Sequence, residues 1–340
     1  MSVKEIYKEI SRRFDHDSFR KNVETHCTVG LKQFKKIIRS YIFFHLFFLG
    51  LLISEIIAFS LSLTFLSKSA LIAFSLAGII LTAFAYLVIL FYFQTKKPEQ
   101  FIELRNWFMR LCKQSLPKNL GSSEYHLSLA NSAYRFASHL MKHESSLYSL
   151  PAVTHSLNNL MRKFTNFCHH KDLHKMKEIL LLVSITEHIQ LIKETPTDLE
   201  AHASLANAYV ALSKIYQGDS KEMHEKFQAA SEKAIQEFKI LDHYSPNDPW
   251  VQAQLASCYH DLKMFKEEIL YYENILRLCP EDKQIMFRLG VLYFQQGLNA
   301  KGLRTYEELK NMGFSRADEL IDYYDANSGK STASALFKLP

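Results

Sequence analysis

The sequence predicts an all-α protein, with an N-terminal transmembrane helical hairpin followed by a C-terminal α-solenoid of repeated helix pairs. Three observations predict it. Residue types recur at an offset of 34 across 249–316, with Leu255 and Leu289, Tyr259 and Tyr293, Tyr272 and Tyr306 in register. Two apolar runs, Tyr41–Leu66 and Ala70–Phe93, flank a short break at Ser67-Lys68-Ser69. Only 10 Gly and 8 Pro occur in 340 residues, and no segment sustains the period-two alternation of a strand.

Residues 1–40 read as amphipathic helices on the cytoplasmic side. Ile6, Ile10 and Phe14 share one face, and Leu31, Phe34 and Ile38 share another. Two placements stay open for them: on the bilayer surface with Lys and Arg reaching headgroups, or against the repeat domain.

Residues 41–93 read as a two-helix transmembrane hairpin. At about 1.5 Å per residue, each apolar run can cross a hydrocarbon core of about 30 Å. The break is so short that the chain enters and leaves on one side. The alternative, a buried soluble hairpin, fits poorly with uninterrupted apolar runs of this length. The block follows a charged, helix-prone segment of 40 residues and exceeds a signal-peptide core, so it reads as an anchor. Basic residues concentrate on the flanks, at Lys32, Lys35, Lys36 and Arg39 before it and Lys96, Lys97, Arg105 and Arg110 after it, while the turn holds only Lys68. The positive-inside rule then places an integral membrane protein with both termini in the cytoplasm. Glu55, with His45 nearby, is an ionisable group near mid-membrane and stands out as a site. Its candidate partners are Ser54, Thr82 and Tyr86 in the hairpin, or a second copy of the chain. Two helices with so few polar residues are too few to line an ion pathway.

Residues 94–120 read as a basic juxtamembrane helix starting at Pro98, with Phe101, Leu104, Phe108 and Leu111 on one face and Trp107, Phe101 and Phe108 near the headgroups. Residues 121–195 are helical. Leu129-Ala130-Asn131-Ser132-Ala133-Tyr134 echoes Leu205-Ala206-Asn207-Ala208-Tyr209, so degenerate repeats and plain packing helices both remain open.

Residues 196–325 hold the repeats. The unit from Pro196 is stretched: Leu205 lies 50 residues before Leu255, 16 more than the period, and Gly218-Asp219-Ser220 is its only strong turn signal. Two longer helices are expected there rather than an inserted loop. A short closing helix at Arg316–Tyr324, with Ile321 and Tyr324 capping the last unit, leads to a flexible tail at 326–340.

The pattern of a large apolar residue, a small residue and a Tyr in the first helix resembles the tetratricopeptide repeat family. Leu255, Ala256 and Tyr259 carry it, followed by Tyr272, Ile275 and Pro280; Leu289, Gly290, Tyr293, Gly297, Gly302, Tyr306 and Leu309 carry it again. Glu268 departs from it, standing where a small residue is usual, and Phe314 stands where Pro280 would repeat. The resemblance implies stacked helix pairs and a concave groove for polypeptide ligands. Its register places Asn207, Trp250, His260, Phe287, Val291 and Phe294 on that groove. Only Asn207 suits a carboxylate clamp, so the expected ligand is an amphipathic helix or extended peptide with large apolar side chains.

Chemistry is sparse. No phosphate loop, nucleophile elbow or H-E-x-x-H occurs, so the chain is not expected to be an enzyme or to need a cofactor. Cys168, His170 and His174 could share a helix face, but without an evident fourth ligand no metal site is expected. Five scattered cysteines imply no disulfide framework. The formal charge of +6 sits on the membrane flanks, where it should attract anionic lipid, and 121–340 shows no basic stripe for nucleic acid. The expected function is that of a membrane-anchored scaffold that binds a protein or peptide, with homo-oligomerisation through the hairpin open. The bilobed apolar block also resembles inclusion-membrane proteins that some intracellular bacteria secrete, which implies an alternative: a host-membrane or membrane-shaping protein with a cytosol-facing interaction domain.

Overall fold

The computed structural model describes residues 15–65, 69–144 and 155–326; the side chains of 65, 69, 71, 155–162 and 164–170 are not described. The described residues are helical and contain no strand. The chain divides into two compact units, Met1–Thr195 and Pro196–Pro340.

Among the described residues the first unit has four helices: α1 (His16–Phe65), α2 (Ser69–Gln114), α3 (Ser122–Lys142) and α4 (His155–Glu194). Contacts between α1 and α2 run antiparallel along their whole length. His26 meets Ser115, Phe34 meets Phe101, Tyr41 meets Phe93, and Glu55 meets Thr82. Both helices are long enough to belong to two environments. The lower part of α1 buries Val23, Cys27, Leu31, Phe34 and Ile38 on one stripe. The far end of α2 buries Phe101, Leu104, Phe108 and Cys112. These stripes close against Leu129, Ala133, Phe136 and Leu140 of α3 and against Leu173, Met176 and Leu180 of α4. Gly30 makes room for the Phe136 ring, since a Cβ there would lie 2.6 Å from Cζ. Each buried Phe or Leu contributes about 1.5–3 kcal/mol of transfer energy. α4 is also tied by polar contacts, from His126 to Glu187 and from Lys97 to Asp172.

Three expectations change here. The chain does not begin a new helix at Pro98, which lies inside the continuous α2. A mid-helix proline costs about 3 kcal/mol, and burial of Phe101, Leu104 and Phe108 just beyond it offsets that cost. The same burial takes Phe101 and Phe108 into the bundle core and away from any headgroup layer. The lower stripe of α1 packs on neighbours in its own unit, so its buried face is not laid on a bilayer.

The second unit is a succession of helices: α5 (Leu199–Ile215), α6 (Lys221–Tyr244), α7 (Pro249–Asp261), α8 (Phe265–Leu278), α9 (Lys283–Gln295) and α10 (Asn299–Asn311), closed by a short α11 at 319–326. Within the series from α5 to α10, consecutive helices pack against one another. The stretched pair has 17 and 24 residues against 13 or 14 in its neighbours, so the extra sequence lengthens both helices. One device starts the first helix of every pair: a proline two residues ahead of an aspartate. Asp198 after Pro196, Asp248 after Pro246 and Asp282 after Pro280 each accept a backbone N–H of the first turn.

Helix ends repeat as well. α7, α9 and α10 close with a residue in the left-handed region, Lys263, Gly297 and Gly313. In each case the following N–H reaches back five residues, from Met264 to Tyr259, Leu298 to Tyr293 and Phe314 to Leu309.

Candidate functional site

The bare half of the α1–α2 hairpin is the first candidate surface. From Phe43 on α1, and back to Tyr92 on α2, large apolar side chains point outward: Phe47 is 65% exposed, Phe74 80% and Phe91 64%. α1 and α2 are long and apolar enough to cross a membrane, and little of either apolar window is buried within the protein. An apolar surface of this extent far exceeds what soluble monomers expose.

The polar groups within this half are arranged for a dry medium. Ser54, Ser60, Ser62, Thr64 and Ser75 return their hydroxyls to carbonyls three or four residues back, so these five donors need no water. The Glu55 carboxylate faces the partner helix, and Thr82 Oγ1 donates to its Oε1 at 2.7 Å. Of the partners considered from sequence, Thr82 is the one it meets. Its second oxygen is buried without a partner. His45 Nδ1 lies 3.1 Å from the Tyr86 hydroxyl, within an aromatic ladder formed by Phe44, Tyr86, Phe93 and Tyr41. At the foot of the ladder Tyr41 donates to Gln100, and Lys97 sits 4.6 Å above the Tyr41 ring while bonding to Asp172.

The second candidate is the face of the repeats. Trp250 is 44% exposed and touches Phe238 edge-on, while Asn207 is half-buried. His260 is half-exposed and bound to Glu268, a carboxylate with no exposed surface. Arg288 reaches the same carboxylate from α9. Glu268 thus joins α7, α8 and α9, and its departure from the small-residue pattern has a structural use.

Phe287, Val291 and Phe294 are buried, which corrects their expected place in an open groove. They form a core with Ala317 and Leu320, and Phe314 and Tyr324 pack on it. The Phe294 ring meets Tyr324, and Arg316 lies over Phe287. The physical reason is stacking. These positions face the next helix in the series, as Ala203 and Val210 of α5 pack with Val251 and Leu255 of α7. At the end of the series that helix is the closing one. Tyr324 packs as expected of a cap, with Leu320 as its main companion rather than Ile321.

An open cleft of about 730 Å³ lies beside the turn between α7 and α8, lined among others by Tyr216, His224, Phe227, Lys239, Tyr259 and Met264. The overhang of the two lengthened helices creates it. The insert of 16 residues was the sequence signal for it. Another feature readable in sequence was the recurring Pro-x-Asp, which marks the start of the first helix of each pair.

Of the metal candidates, Cys168 and His170 lie outside the described side chains, and His174 is half-buried. Among the described residues no group of three or more His, Cys, Asp or Glu could hold a metal. Burial pushes the thiols of Cys27, Cys112 and Cys258 up to about 12, far from nucleophilic at neutral pH. No protein-family model matches this chain, and no curated protein matches it.

Proposed function

We propose that this chain is a membrane-anchored scaffold of the tetratricopeptide-repeat type, holding a protein-binding surface at the cytoplasmic face of a membrane. The observation that carries the anchor is the abrupt change along α1, from a stripe buried in a helical bundle to Phe43 and Phe47 exposed on all sides of a bare hairpin. The self-contained hydroxyls and the Glu55–Thr82 bond support a lipid environment for that hairpin. The scaffold half rests on the recurring helix starts at Asp198, Asp248 and Asp282 and the sequential packing of α5 to α10. The excess of Lys and Arg on both flanks of the hairpin supports cytoplasmic termini.

The ligand surface in this reading is the half-exposed row of Asn207, Trp250 and His260, without the three residues buried under the closing helix. A protein or peptide with a large apolar side chain for Trp250 is the expected partner.

Three measurements test the reading. The full chain should sediment with membranes after an alkaline carbonate wash, and protease added outside intact cells should leave its C-terminus undigested. Proximity labelling from the C-terminus should return a partner set that Trp250→Ser depletes. Recovery of the chain in the soluble fraction without detergent would remove the anchor, and a partner set indifferent to Trp250→Ser would remove the proposed surface.

A further inference from the structure

On the exposed face of α1, a basic stripe runs straight into the lipid-facing stripe. Lys32, Lys36 and Arg39 fall at helical spacings that continue through Phe43 and Phe47. The buried stripe of Leu31, Phe34 and Ile38 is on the other side. At about 1.5 Å per residue, Arg39 lies about 6 Å below Phe43, Lys36 about 10 Å and Lys32 about 16 Å. That range covers the headgroup layer and the charged water just outside it.

α1 has no acidic residue between Glu24 and Glu55. Among the described residues, no carboxylate lies within 4 Å of the charged groups of Lys32, Lys36 or Arg39. The neighbouring Lys35 adds to the crowding: partial burial disfavours its charge, and so, to a smaller extent, does Arg39. α2 differs at the same level. Lys96 is paired with Glu99 and Lys97 with Asp172, and further along Arg105 bonds to Asn106. Sequence alone assigns the excess positive charge to both flanks of the hairpin. The structure pairs Lys96 and Lys97 of α2 with carboxylates and, among the described residues, leaves the Lys32, Lys36 and Arg39 cluster of α1 without one.

We infer that the Lys32–Lys36–Arg39 face of α1 is a binding site for the phosphate of anionic phospholipid headgroups. This rests on the proposed membrane reading and deepens it. Arg39 offers a planar fork to a phosphate diester, and the two lysines reach up from below it as point charges.

The test uses the full chain in nanodiscs of equimolar phosphatidylcholine and phosphatidylglycerol, with retained lipids counted by native mass spectrometry. Removing Lys32, Lys36 and Arg39 together as glutamines should lower the preference for phosphatidylglycerol about tenfold, given about 1 kcal/mol per surface cation as an upper bound. Lys96→Gln with Arg105→Gln and Arg110→Gln removes the same charge from α2 and should change it less than about twofold. An unchanged preference in the α1 variant overturns the inference, and so does an equal loss in both variants, which would mean bulk attraction only. Inorganic phosphate should not displace the lipid; if it does, the site is one for free phosphate and the lipid assignment falls. A chain that survives a carbonate wash yet shows no lipid preference removes this inference alone. A chain that is soluble without detergent removes the membrane reading with it.

Discussion

His260 Nδ1 lies 2.9 Å from Oε2 of Glu268, and through that contact the end of α7 is fastened to a carboxylate sealed inside the repeats. Arg288 Nη2 reaches the other oxygen at 3.4 Å. A buried carboxylate is tolerated only while its charge is matched. Arg288→Ala leaves Glu268 with the His260 contact alone. It should destabilise the protein by about 2–4 kcal/mol, below the full cost of breaking a buried pair because Arg288 itself is half-exposed. Arg288→Lys should recover only part of this, since Nη2 lies 3.1 Å from the His260 ring as well as 3.4 Å from the carboxylate, and a flexible ammonium does not hold both. Denaturant midpoints of the two variants against the parent check it.

Lys263 offers a change in the other direction. It holds φ at 58° where its counterpart 34 residues on is Gly297, at 71°. A side chain in this region costs about 1–2 kcal/mol that glycine does not. Lys263→Gly should therefore stabilise the protein by about 1 kcal/mol, less what glycine adds to the entropy of the unfolded chain. Gly297→Lys should lower stability by a similar amount. A rise in melting temperature for the first and a fall for the second is the expected pair of results.

The hairpin makes a separate prediction. Thr82→Val keeps the shape of the side chain and removes the one donor to Glu55 Oε1. The loss should be about 0.6–1.7 kcal/mol of helix–helix stability in mixed micelles, the range for hydrogen bonds between membrane helices. Glu55→Leu should leave the mass of the protein in detergent unchanged, because Glu55 is paired within its own hairpin. Loss of a larger species in that variant would return Glu55 to an intermolecular role.

His188 sets a pH dependence in the first unit. It is buried, its Nδ1 donates to the Ser184 carbonyl at 2.9 Å, and its Nε2 has no partner. Burial lowers its pKa from 6.5, against smaller opposing effects of the Ser184 bond and Glu187. The folded state thus refuses a proton that the unfolded chain accepts. Its stabilising contribution is complete above pH 6.5 and is lost as the pH falls from 6.5 through the lowered value. His188→Gln should flatten that part of the stability curve. An equal slope in both proteins would place the acid sensitivity elsewhere.

Local pattern carried much of this architecture. The apolar runs, the period of 34 and the lengthening of α5 and α6 are all written within single helices or adjacent pairs. What local pattern could not supply was the partner of each face. Leu31, Phe34 and Ile38 announce a buried stripe, but Gly30 meets Phe136 more than a hundred residues away. Pro98 carries the usual mark of a helix start, and tertiary burial on its far side overrides it. Phe287 and Phe294 occupy groove positions by register, yet register says nothing of the segment that follows the last repeat and covers them. Replacing both with serine would thus lower stability, by about 3–5 kcal/mol for each large ring lost, before it reported on any ligand.

α1 runs without interruption from the bundle core at Val23 to the far end of the hairpin at Phe65. In a bilayer, that continuity makes the rod a lever. Where the hydrocarbon thins or thickens, the spanning half must lean to match it. With no joint along α1 to absorb the change of angle, the bundle outside swings with it. Membrane thickness would in that way set the angle at which the bundle stands off the bilayer.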